Sequence, residues 1–95
     1  MNTRTIPVAI FRLGRIVSTP NALQSLTRED ILSGIRCHQA GDWGDLKAAD
    51  WEANDRALTQ DGRIVSAYNA QNGTRFWIIT EADHSVTTVL LPEDY

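Results

Sequence analysis

A change of sequence period near residue 63 constrains this fold more than any other feature. From there apolar and polar residues alternate, as they do in strands whose side chains point to opposite faces of a sheet. Asn72-Gly73 interrupts the alternation, and this pair favours a two-residue type I′ hairpin turn. Strands are therefore expected over residues 63–71, 74–80 and 85–91. Together they predict a three-stranded antiparallel β-meander.

Before residue 63 the chain carries helix signals. Thr19-Pro20 predicts a short helix over residues 21–26, because a hydroxyl N-cap followed by proline opens helices. Thr27 with Asp30 resembles a capping box and predicts a second helix that Gly41 ends. Helix-forming residues predict a third helix over residues 46–60.

The first part of the chain predicts one more strand, since residues 6–17 are mixed apolar with a bend at Gly14. The chain has 95 residues, of which 42% are hydrophobic and 22% charged, as is usual for one globular domain with a packed core. We therefore expect a single α+β domain over residues 1–95: an N-terminal strand, two or three short helices, then the three-stranded meander.

Charge and composition exclude several functions. Nine Lys and Arg residues against twelve Asp and Glu give a net charge of −3, which disfavours direct nucleic-acid binding. The apolar runs are too short to cross a membrane, and the single Cys37 fits a reducing cytoplasm. Glycine-rich phosphate loops and metal-ligand spacings are lacking, so no cofactor and no metal are expected.

His38 falls on the apolar side of the second helix and is followed by Asp42 and Trp43. An imidazole and a carboxylate at a helix end could form an acid/base pair or supply two metal ligands. The alternative is structural, with His38 hydrogen-bonded in the core and Trp43 filling it. We favour the structural interpretation, because a metal site needs further ligands.

A second cluster lies at the last hairpin, where Glu81 and His84 are close in sequence. With Arg63 or Arg75 from neighbouring strands, and with His38 as another candidate base, it holds the parts of a metal-independent ribonuclease. The alternative is that these polar residues only close the hairpin, and no catalytic residue is favoured.

A third group consists of aromatic residues and arginines. The chain has eight arginines and one lysine, Lys47, and arginine and aromatic residues are enriched in protein interfaces. A protein-binding module is expected to have this composition. The predicted contact residues are Asp42, Trp43, Tyr68, Asp83 and Tyr95.

Several stretches of the chain, residues 13–20, 38–46, 63–68, 77–83 and 87–92, resemble a family of small plasmid-related proteins. The likeness covers about residues 11 to 95. Members are carried on plasmids and integrative elements of proteobacteria, and some bear the label type I restriction subunit M. At 95 residues this chain is too short for a methyltransferase domain, so the resemblance implies a mobile element rather than that activity.

These observations lead to two functional hypotheses. The leading one is a non-enzymatic protein-binding module of a mobile genetic element, for which counter-defence, as an anti-restriction or anti-CRISPR inhibitor, is the suggested role. Its partner would be a protein, such as a nucleic-acid-binding host defence complex. The alternative is a small metal-independent ribonuclease or toxin of barnase-like architecture.

Overall fold

The computed structural model describes residues 8–95. Within that range the elements are β1 Arg15–Ser18, α1 Pro20–Ser25, α2 Arg28–Gln39, α3 Ala48–Gln60, β2 Ile64–Asn69, β3 Arg75–Thr80, β4 Val86–Leu90 and a 3-10 turn Pro92–Asp94. The strands form one four-stranded sheet in the order β1-β4-β3-β2. The α+β class is therefore confirmed.

The sheet departs from the expected one because β1 joins it. β2, β3 and β4 form the antiparallel meander, but β1 pairs in parallel with β4. The backbone N–H groups of Arg15 and Thr19 donate to the carbonyls of Ser85 and Val89, each at 3.0 Å. The sheet is thus mixed and four-stranded, whereas the sequence predicted an N-terminal strand and a separate three-stranded meander without pairing them.

β1 is shorter than the predicted strand over residues 6–17, of which residues 6 and 7 lie outside the described part. It begins at Arg15 because Gly14 has a φ of 65°, which breaks the extended conformation. A Cβ at Gly14 would lie 2.3 Å from the carbonyl oxygen of His84. Only glycine therefore lets this segment come so close to the β3–β4 hairpin.

The two predicted helix starts are confirmed. The Thr19 hydroxyl accepts from the N–H of Ala22 at 3.2 Å, and α1 begins with proline. At α2, Thr27 and Asp30 form a reciprocal capping box with distances of 3.0 and 3.1 Å. Local capping chemistry therefore fixes where both helices begin.

α1 and α2 pack on one face of the sheet, which we call the helix face. Its core contains Ala22, Leu26, Ala70, Phe76, Ile78, Val89 and Leu91. A second cluster at the β2 end of the sheet contains Trp43, Ala57 and Ile64, with Phe11, Leu46, Trp51 and Leu58 packed against it. α3 supplies Trp51, Ala57 and Leu58 to this second cluster because it lies along β2.

The outer edge of β2 is covered by hydrogen bonds rather than by another strand. The side-chain amide of Asn54 in α3 donates to the carbonyl of Val65 at 2.8 Å and accepts from its N–H at 3.1 Å. The N–H of Ala67 donates to the carbonyl of Trp43 at 3.2 Å, and its carbonyl accepts from Asp45 at 2.8 Å. This edge is therefore closed to further strands at both residues.

In the part of the chain that the structure describes, no helix has the length and apolar character needed to cross a bilayer.

The β2–β3 turn lies where Asn72-Gly73 predicted it, but it has three residues rather than two. The N–H of Ala70 donates to the carbonyl of Thr74 at 2.8 Å, and that of Gly73 to the carbonyl of Ala70 at 2.9 Å. Gly73 has a φ of 86°. Asn72 contributes to the turn through its side-chain amide. The amide oxygen accepts from the N–H of Thr74, and the amide nitrogen donates to the carbonyl of Ser25.

Gly73→Val should lower the free energy of unfolding by more than about 1 kcal/mol, because a β-branched residue is strained at positive φ. No atom lies within 4 Å of a Cβ built there, so the cost is conformational rather than steric. Gly73→Asn is the matched control and should cost less, since asparagine tolerates this conformation. Urea denaturation of the three proteins measures this, and equal midpoints would contradict the turn geometry.

Candidate functional site

His38 lies fully buried in the last turn of α2. Its Nδ1 is 2.5 Å from the Ser66 hydroxyl oxygen, and its Nε2 is 2.8 Å from that of Thr80. The Thr80 hydroxyl lies 2.7 Å from the Thr87 hydroxyl, which donates to the carbonyl of Leu13 at 2.7 Å. One hydrogen-bond chain thus joins α2, all three strands of the meander and the segment before β1.

The direction of this chain fixes the tautomer of His38. Since Thr87 gives its proton to the Leu13 carbonyl, it accepts from Thr80. Thr80 then has no second proton, so it must accept from Nε2 of His38. Nδ1 is left as the acceptor for the Ser66 hydroxyl. His38 is therefore a neutral imidazole with the proton on Nε2, and both ring nitrogens are occupied.

Burial lowers the pKa of His38 to about 3, because the charged imidazolium would lose its hydration. The ring also packs edge-on against Phe11 and Trp43, with centroid distances of 5.3 and 5.7 Å. A residue held neutral and fully hydrogen-bonded in this way has no free nitrogen for a substrate. The structural interpretation of His38 is the one that the geometry supports.

Trp43, a predicted contact residue, is also fully buried and contributes nothing to the surface. Its indole N–H donates to a carboxylate oxygen of Asp55 in α3 at 3.0 Å. Its backbone carbonyl accepts from Ala67 on β2. Trp43 therefore connects α3 to the edge of the sheet, as a core residue.

The predicted ribonuclease residues do not converge on one site. Glu81 is bound by Arg63, whose Nε lies 3.3 Å from Oε1. The His84 ring instead packs against Phe11, with a centroid distance of 5.5 Å, and Phe11 also contacts the buried His38. Arg75 is engaged with Asp45, at 2.8 Å from the carboxylate and 2.9 Å from the backbone carbonyl. The residues thus form separate local pairs.

Of the other predicted contact residues, two lie together. The Tyr68 hydroxyl donates to the carbonyl of Asp42 at 2.7 Å, and burial raises the pKa of Tyr68. Asp83 accepts from the N–H of Ser85 at 3.0 Å within the last hairpin. Hydrogen bonds from Ser85 hold the pKa of Asp83 below its usual value. Tyr95 lies elsewhere, against β3.

Tyr95 belongs to a cluster on the face opposite the helix face. Its ring lies edge-on to Trp77 with a centroid distance of 5.7 Å. The Arg63 guanidinium donates to the Tyr95 hydroxyl at 2.6 Å and lies 5.4 Å from the ring centroid. Hydrogen bonding to Tyr95 and the nearby Glu81 raise the pKa of Arg63, which stays charged. We call these three residues the Arg63–Trp77–Tyr95 cluster.

The Arg63–Trp77–Tyr95 cluster is accessible, since Tyr95 is 70% exposed, the Arg63 side chain 41% exposed, and Trp77 half-buried. An open groove of about 420 Å³ begins beside it, between β2, β3 and α3. Its lining includes Leu46, Ala53, Val65, Arg63, Arg75 and Trp77. The lining mixes these apolar side chains with the polar Asp50 and Asn54 of α3, and it includes the guanidinium of Arg75 on β3 and that of Arg63 just before β2.

The predicted contact residues include Tyr95 but not Trp77, although Trp77 belongs to the third group of aromatic residues, and Arg63 is named individually only as a catalytic candidate. The sequence signal that Arg63 and Trp77 share is the alternation of side chains between the two faces of a sheet. By the period of two, Arg63 just before β2 lies on the same side as Val65 of β2, and Trp77 lies directly across from Ala67 on that same face. Tyr95 could not be added from periodicity, because it follows the last strand.

Metal binding has no support in the described residues: no group of three or more His, Cys, Asp or Glu side chains among residues 8–95 is placed to hold an ion. Comparison with known proteins finds no matching family model, curated protein or solved structure. The family resemblance of the sequence therefore stays a prediction, and the geometry of the site is the basis for the proposed function.

The stability of the protein should fall as the pH drops from about 6.5 towards 3, because the unfolded chain then protonates His38 while the folded state does not. Each unit of pKa difference corresponds to about 1.4 kcal/mol. His38→Gln should be less stable at pH 7 but lose less stability on acidification. Urea unfolding at several pH values measures both slopes, and parallel slopes would contradict the role assigned to His38.

Proposed function

We propose that this protein is a non-enzymatic protein-binding module and that the Arg63–Trp77–Tyr95 cluster is the centre of its contact surface. The observation that carries the proposal is the contact of Tyr95 with both the Arg63 guanidinium and the Trp77 ring on a partly exposed sheet face. Arg, Trp and Tyr are the residue types that contribute most binding energy in protein interfaces.

The fixed geometry of the cluster also supports binding. Arg63 is held by Glu81 and Tyr95 at once, and Tyr95 is held by Arg63 and Trp77. Ordering a long side chain on association costs about 0.5–1.5 kcal/mol. Because Arg63 is already ordered, less of this cost remains to be met when a partner binds.

The partner that we propose is a protein with a basic, nucleic-acid-binding surface, such as a host defence complex, with inhibition as the outcome. The net charge of −3 supports this choice, since opposite charge favours encounter and correct orientation. Exposed Asp50, at the rim of the groove, and Glu52 add negative charge on α3. A reducing cytoplasm is the proposed compartment, consistent with the free Cys37.

Arg63→Ala and Tyr95→Ala should each weaken binding to the protein partner at least tenfold, a loss of about 1.4 kcal/mol. The experiment captures partners from a bacterial host lysate with tagged protein, identifies them by mass spectrometry and measures the affinity of each purified partner by interferometry.

Arg28→Ala is the matched control, because Arg28 is an exposed arginine at the start of α2. It should leave the affinity unchanged, and thermal unfolding should show that all three variants are folded. A partner that binds the Arg63 and Tyr95 variants as well as the wild type would contradict the proposed surface.

Purified protein should leave total RNA intact in the presence of a metal chelator. A general acid or base contributes about 10²–10⁴-fold to a rate, and Glu81 and His84 are held in separate pairs. Glu81→Gln is the matched variant. Cleavage by the wild type that is lost in Glu81→Gln would replace the binding proposal with a ribonuclease.

A further inference from the structure

The two edges of the sheet differ in a way that points to a second copy of the chain. At the β2 edge, Val65 and Ala67 have their outward backbone groups bonded by Asn54, Trp43 and Asp45. β1 forms the opposite edge and pairs only with β4 among residues 8–95. The β2 edge is thus closed at Val65 and Ala67, whereas β1 presents backbone donors and acceptors that no other strand among residues 8–95 occupies.

The backbone groups that β1 offers can be assigned from its register. Arg15 and Thr19 direct their N–H groups to β4, so alternation along the strand directs Val17 to β4 as well. Ile16 and Ser18 therefore point their N–H and C=O groups outward. The Ile16 side chain is 49% exposed, which is unusual for a large apolar residue in a strand.

We infer that the protein forms a symmetric dimer in which β1 pairs antiparallel with β1 of a second copy, around a twofold axis at Val17. In this register Ile16 of each copy exchanges both backbone hydrogen bonds with Ser18 of the other. Val17 faces Val17 of the second copy in a non-hydrogen-bonded pair. The two sheets join into one continuous sheet.

Charge complementarity selects this register. Arg15 forms no ion pair within residues 8–95, and pairing around Val17 places it opposite Thr19 of the second copy. The Thr19 hydroxyl donates to the carboxylate of Asp94 at 2.6 Å, and Asn21 donates to the same carboxylate at 2.6 Å. Each Arg15 therefore meets a fixed negative charge of its partner.

The alternative register, with the axis at Ile16, lacks this advantage. It moves Arg15 opposite Val17 and brings the two Arg15 side chains to diagonal positions, where like charges repel. In that register Arg15 lies two residues away from Thr19 of the second copy and is therefore farther from Asp94. The same Arg15–Asp94 attraction also distinguishes a second copy from an unrelated strand, since it occurs twice around the axis.

Sedimentation equilibrium from micromolar to millimolar concentration tests the dimer directly. The wild type should reach the mass of two chains, whereas Arg15→Glu should stay monomeric over the same range. Arg28→Glu, which changes an exposed arginine on α2, is the matched control and should still dimerise. Ile16→Lys leaves the backbone unchanged and is a second disrupting variant, which should also stay monomeric. A wild type that is monomeric throughout would overturn the inference.

Disulfide trapping tests the register. In a Cys37→Ser background, Val17→Cys should cross-link two copies under mild oxidation, because facing residues of a non-hydrogen-bonded pair lie close enough for a disulfide. Leu32→Cys, exposed on α2, controls for collisions and should cross-link far less. A dimer in which Val17→Cys cross-links no faster than Leu32→Cys would overturn the β1 pairing.

Both tests are independent of the binding surface that we propose. Arg15 and Val17 are absent from the Arg63–Trp77–Tyr95 cluster, and RNA or partner binding is not measured in either experiment. Failure of the dimer therefore leaves the proposed function standing, and failure of partner binding leaves the dimer standing.

Discussion

The hydrogen-bond chain from His38 to Leu13 is the interaction on which the rest of the structure depends. It connects α2 to β2, β3, β4 and the segment before β1 through four buried polar side chains. Burying such groups is costly unless each finds a partner, and among the described residues no buried side-chain polar atom lacks one. Because the donors and acceptors of this hydrogen-bond chain fit together in one direction only, they fix the position of each element relative to the others.

This polar chain also explains why a small domain can have two apolar clusters without separating into two units. One cluster lies under α1 and α2, and the other lies between α3 and the β2 end of the sheet. α2 packs Ile31 and Ile35 against the first cluster, while its His38 ring contacts Phe11 and Trp43 of the second. The hydrogen bonds of His38 thus hold together the elements that carry the two apolar clusters.

The sequence predicted the elements whose signals are local and failed where the signal was distant. The capping residues of α1 and α2 lie within three positions of their partners, so their starts were predictable. The parallel pairing of Ile16 with Thr87 spans most of the chain and has no local signature. No local signal marks Thr80 and Thr87 as partners of His38, because only the strand register places both on the helix face beside it.

Asn54 gives the sheet a property that its strands alone would lack. An edge with free backbone groups can template the addition of strand after strand, which leads to filaments and aggregates. Asn54 occupies the N–H and C=O of Val65 with its own amide, so growth at that side requires α3 to detach first. Asn54, with the backbone of Trp43 and Asp45 at Ala67, therefore opposes strand addition at the middle of this edge, and the proposed pairing through β1 would stop at two chains.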